Sequence, residues 1–167
     1  MDPFDKRQTD AVWQRVRGDR PPLDPAPASP AAEARGLDWS AGWLQSLWTE
    51  ERAMAESCLA LARRMNGAEA AVLRTLGQEA RSRAACLAGM YRLAAGKTLG
   101  NQPVPGPGRQ EPAQEVLRRL YDRSRQAMAA YEPACAHPVF GQVFTLLLQE
   151  QRRGARRYLE LLGAARG

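Results

Sequence analysis

Fifteen residues, Lys97 to Glu111, separate two pairs of helical segments, and that spacing restricts the fold more than any other feature of the chain. Four stretches repeat apolar residues at the helical period: Ser40 to Met65, Glu69 to Ala95, Pro112 to Tyr131 and Val139 to Ala165. Asn66-Gly67 ends the first, because both residues tolerate a left-handed backbone, and Gly96 stops the second. Pro112 suits the opening turn of the third, and EPACAHP breaks it. The first and last breaks are short, which forces two antiparallel hairpins. A second helix of this length spans about 40 Å, whereas an extended fifteen-residue connector reaches about 50 Å. The third helix can therefore start at the far end of the bundle. An up-and-down bundle with a slack loop is the other topology these lengths allow.

At 167 residues the chain makes one domain with an arm. No apolar run approaches membrane-spanning length. The opening MDPFDKRQTD lacks the apolar core of a signal peptide, so a cytoplasmic protein without a membrane partner is expected. Residues 1–37 read as the arm, a short amphipathic helix around Trp13 followed by a Pro/Ala-rich linker, and residues 38–167 as the bundle. Trp13 is expected to dock the arm on the chain's own bundle.

Cys58, Cys86 and Cys135 show no metal-ligand spacing, and Cys58 and Cys86 read as buried thiols. The single histidine, His137, sits beside Pro138 in the last connector, where a cap or loop role is expected. The net charge of +6 comes from a chain rich in paired arginines such as Arg63-Arg64 and Arg152-Arg153. Solvated helix faces account for these pairs more simply than nucleic-acid binding does. There is no phosphate-binding glycine loop, nucleophile elbow or HExxH.

The inner stripes are interrupted by polar residues. Glu51 lies four after Leu47 and seven before Cys58; Glu79 lies three after Leu76, with Ser82 one turn on. Ser124 falls between Leu120 and Met128, and Glu150 lies three after Leu147 with Arg153 on its face. Buried carboxylates need a partner, a proton or a metal. A register shifted by one would instead place Glu51 at the surface, pairing with Arg81 or Arg83.

WTEERAMAESCLALARRM with LGQEARSRAACLAGMYRLAAGK resembles the first hairpin of a rubrerythrin-type ferritin-like protein. LRRLYDRSRQAMAAYEPACAHPVFGQVFTLLLQEQRRGARRYLELL resembles the second, so the likeness covers Trp43 to Leu162. The implied fold is all-α: a ferritin-like four-helix bundle of two antiparallel hairpins joined by a long crossover, with an N-terminal arm. Di-iron members use a Glu on one helix of each hairpin and Glu-x-x-His on the other. By resemblance Glu51, Glu79 and Glu150 match metal ligands. Ser82 and Arg153 stand where the two His ligands would be, and Ser124 where the third-helix Glu would be. Arg153 is expected to neutralise Glu150 together with Glu79 or Glu51.

The resemblance thus implies a degenerate ferritin-like scaffold or interaction module without cofactor. Its expected partner is another protein or a second copy, a homodimer being one form, given Trp39, Trp43 and Trp48 near one helix end. The alternative is an oxidase or peroxidase that keeps iron or manganese on Glu51, Glu79 and Glu150. A basic nucleic-acid-binding bundle is the third reading.

Overall fold

The structure, a computed structural model, describes residues 41–164. The expectations for Trp13, for the linker and for the Ser40 cap fall outside these residues. Among the described residues the chain is all-helical: α1 Ala41–Ala62, α2 Gly67–Ala95, α3 Ala113–Ala134 and α4 Gly141–Ala164. None of these helices is long and apolar enough to cross a membrane.

Local chemistry explains the boundaries. Gly67 has φ +66° and opens α2, so the left-handed turn expected at Asn66-Gly67 separates the first two helices. Gly96 takes φ 65° and donates its N–H to Arg92 O, closing α2. Pro112 precedes α3, and Pro133 lies inside its last turn, so α3 runs three residues past Tyr131. A proline near a helix C-terminus removes one ladder bond without unwinding the turns before it. His137 starts α4: its Nδ1 accepts the N–H of Val139 at 3.1 Å and of Phe140 at 3.0 Å. A side-chain acceptor there satisfies donors that a helix start leaves open.

α1 packs on α2 and α3 on α4, while α1 also meets α3 and α2 meets α4. Two apolar clusters fill the interior. One joins Cys58 and Leu61 of α1, Leu73 and Leu76 of α2, Val116 and Leu120 of α3, and Tyr158 and Leu161 of α4. The other joins Leu44 and Leu47, Leu87 and Met90, Ala127 and Tyr131, and Phe144 and Leu147. The first halves of α2 and α3 thus share a cluster with the second halves of α1 and α4. The connector from α2 to α3 is held by arginines against α1 and against the turn that follows it. Arg52 donates to Gln102 O at 2.6 Å and to Asn101 Oδ1 at 3.1 Å, while Arg64 donates to Glu111 O at 2.5 Å. Arg119 grips the Glu111 carboxylate through both terminal nitrogens.

Candidate functional site: a buried ion pair

Between the two apolar clusters lies a polar layer to which each helix contributes. Glu51 of α1 is 1% exposed and Arg83 of α2 is 3% exposed, a charge pair fully withdrawn from water. Arg83 Nε donates to Glu51 Oε2 at 3.0 Å. From α3, the Tyr131 hydroxyl donates to Oε1 at 2.6 Å; from α4, Gln151 Nε2 donates to the same oxygen at 2.5 Å. Ser124 Oγ donates to Gln151 Oε1 at 2.8 Å, which orients the amide so that its nitrogen faces Glu51. Beside this layer Cys58 Sγ and Tyr158 Oη lie 3.1 Å apart. No fully buried side-chain nitrogen or oxygen among the described residues lacks a hydrogen-bond partner. Such closure is what makes a buried charge tolerable.

The electrostatics follow from this geometry. Burial is the largest single influence on Arg83 and opposes its charge, but the Glu51 carboxylate together with Tyr131 and Tyr158 outweighs it, so the guanidinium pKa is raised. Burial, reinforced by the Glu51 charge, pushes the Tyr131 phenol well above its ordinary value, so it stays a proton donor. Burial, and next the Cys58 sulfur, does the same to Tyr158. The Cys58 thiol is pushed up to about 12 by burial, against the smaller opposing effects of Tyr158 and Arg83. A thiol held protonated this firmly is a poor nucleophile and a poor metal ligand.

The sequence expectations fare unevenly at this layer. Glu51 and Ser124 are buried in it, and Tyr131, expected on the α3 stripe, enters it through its hydroxyl. Ser82 and Arg153, expected inside, are exposed, and so are Cys86 and Leu146. Glu79 is half-buried and pairs with Arg157 at 2.9 Å, and Glu150 is half-buried too. The inward placement of Ser82, Arg153 and Cys86 is thereby corrected: on α2 and α4 the inner stripe lies about one residue away. Arg83 and Gln151 occupy the interior instead. An arginine does neutralise the core carboxylate, but it comes from α2 and not from α4. Pairing of Glu51 with Arg83 had been expected only at the surface; it occurs in the core.

Arg83 and Gln151 carried a signal that hydropathy conceals. Leu73, Leu76, Ala80, Arg83, Leu87 and Met90 are buried at spacings alternating between three and four, and the same alternation links Phe144, Leu148, Gln151, Ala155 and Tyr158. Both polar residues stand in the rows that hold the core.

Chemically, the layer is a closed charge network. Three protein donors already engage both Glu51 oxygens, and one is the fixed cation of Arg83. Among the described residues no three His, Cys, Asp or Glu side chains converge. A cleft of about 190 Å³ between α1 and α3 approaches the layer from outside. Leu47, Ala127 and Ala130 line it, with Glu51 and Tyr131 among its walls and Glu50 and Arg123, 3.7 Å apart, as a charged pair beside it.

Comparison of the chain with protein-family models, with curated proteins and with solved structures finds no match.

Proposed function

We propose that this chain is a degenerate ferritin-like bundle of the rubrerythrin type, in which the Glu51–Arg83 ion pair takes the place of a metal centre. Its role is that of a scaffold or interaction module. The observation that carries this reading is the donor set around Glu51: Arg83, Tyr131 and Gln151 all present hydrogens to the carboxylate. A metal ion would need the same lone pairs and would meet a fixed positive charge at close range. These residues do not fit a dinuclear centre.

The helix order supports the ferritin-like part of the proposal. Early α2 and early α3 share one cluster, and the long connector between them is tied to α1 at Arg52 and to the turn after α1 at Arg64. A connector returning along the bundle between two hairpins is the ferritin-like arrangement. Glu79, engaged with Arg157, and the half-buried Glu150 then serve the surface.

Metal analysis of the full chain, purified without chelator and then exposed to ferrous iron or manganese, tests the reading. The expected result is no stoichiometric metal, in wild type and in Glu51→Gln alike. One or more iron or manganese ions per chain, lost on Glu51→Gln, would overturn it in favour of a metal-dependent oxidase.

A further inference from the structure

The two arginine tethers leave a span of connector that stands off α1. Beneath it lies a groove of about 630 Å³, walled on one side by Glu56, Arg63 and Arg64 and on the other by Gly106, Gly108 and Arg109. That volume is in the range of sites that hold small molecules.

Its charge is unbalanced. The carboxylate in the wall, Glu56, already pairs with Arg81 at 3.1 Å. Arg64 donates to the neutral carbonyl Glu111 O and adds to the stronger pull of Arg119 that holds the Glu111 carboxyl below its ordinary range; one carboxylate between two guanidiniums leaves a positive charge in excess. Arg63 and Arg109 are exposed and make no side-chain hydrogen bond or ion pair among the described residues. Arginines near the end of α1 are expected to complement the helix dipole. That accounts for Arg63 and Arg64 but not for Arg109, which reaches the same groove from the connector, 45 residues later in the chain. The connector adds a second feature. Pro103, Pro105 and Pro107 have no N–H, and the backbone N–H of Gly106 donates to no acceptor among the described residues.

We infer that this groove binds a small phosphorylated molecule carrying a diphosphate group. Guanidinium forks match phosphate oxygens in pairs, and glycine amides can approach a phosphate without a Cβ in the way. A single phosphate monoester brings about two negative charges at neutral pH, short of the excess positive charge that Arg63, Arg64 and Arg109 bring to the groove. A diphosphate supplies the further charge and a second set of acceptor oxygens. The inference is independent of the buried layer and stands whether or not Glu51 holds a metal.

Calorimetric titration of the full chain with sodium pyrophosphate, and separately with inorganic phosphate, tests it. Saturable one-to-one binding of pyrophosphate is expected, tighter than that of phosphate. Arg63→Ala and Arg109→Ala should each weaken it at least about tenfold, the scale of one hydrogen bond to a charged group. Neither side chain has a partner to lose, so both variants should retain the wild-type helical circular dichroism. Arg153→Ala, which removes the same charge from an exposed site on α4, should leave binding unchanged. Absence of saturable binding, equal affinity for phosphate, an equal effect of Arg153→Ala, or binding of an oligonucleotide but not of pyrophosphate would overturn the inference.

Discussion

Replacing Arg83 with Met keeps the length of the side chain and removes its charge, so it isolates the electrostatic role of the buried pair. At the observed 3.0 Å, Coulomb attraction at an effective dielectric of about 20 amounts to about 5–6 kcal/mol. Desolvation of both ions offsets much of that in the native protein. In Arg83→Met the Glu51 carboxylate keeps its desolvation cost and loses its counter-charge, with only Tyr131 and Gln151 still donating to it. Breaking a buried pair from one side costs about 3–5 kcal/mol, a large share of the roughly 5–15 kcal/mol that holds a domain folded. The double variant Glu51→Gln/Arg83→Met leaves no buried charge and should recover most of that loss. Urea unfolding followed by circular dichroism at pH 7.5 gives all four corners of the double-mutant cycle. If Arg83→Met costs less than about 1 kcal/mol, well below the range for a broken buried pair, the pair is not the centre of the core. If the double variant is as unstable as the two single losses added together, the charges act independently and the pair is not coupled.

Two further outcomes follow from the shifted titrations. Burial lowers the His137 pKa from 6.5, and its Nδ1 accepts two N–H groups at the start of α4, so protonation on that nitrogen breaks the cap. The stabilisation is complete above pH 6.5, the unfolded value, and is lost as pH falls through the lower folded value. The urea midpoint should therefore fall on acidification below pH 6.5, and less so in His137→Asn, whose side-chain oxygen can cap without titrating. Cys58 has its thiol raised from 9.0 to about 12, so its contribution is present below pH 9.0 and lost as pH rises through 9 to 12. At pH 8 a thiol reagent should modify the exposed Cys86 rapidly and Cys58 only after unfolding; labelling of Cys58 in the native protein at the Cys86 rate would refute its burial.

Much of the helical framework was legible because its determinants are local. Gly96 closes α2 through its own left-handed φ and one hydrogen bond to Arg92, Pro112 marks the start of α3, and His137 caps α4. The register of α2 and α4 was not legible in the same way. Their inner rows hold Ala80, Ala84, Gly154 and Ala155, small residues whose weak hydropathy leaves a broad arc of directions compatible with the apolar side chains. Read from Cys86 and Leu146, both in fact exposed, the arc turns by about one residue and brings Ser82 and Arg153 inward. Leu59 pressing on Gly77 shows what sets the true rotation. A Cβ at Gly77 would lie 2.8 Å from Leu59 Cγ, so α1 approaches α2 along a face that only a small residue leaves open.

Taken by itself, the sequence determined four helices, the stop of α2 at Gly96 and the start of α3 after Pro112, and that a carboxylate on α1 would face the interior. Those are consequences of backbone preference and of a stripe on one helix, and each acts over a few residues. Only the tertiary structure decided what meets that carboxylate. Arg83 is the least apolar residue in its row, and nothing in α2 alone makes its burial favourable. It becomes favourable because Glu51, 32 residues earlier, arrives at 3.0 Å with Tyr131 and Gln151 completing the set. A buried charge is stable only in the company of partners from other helices, and those partners exist together only once the bundle has formed.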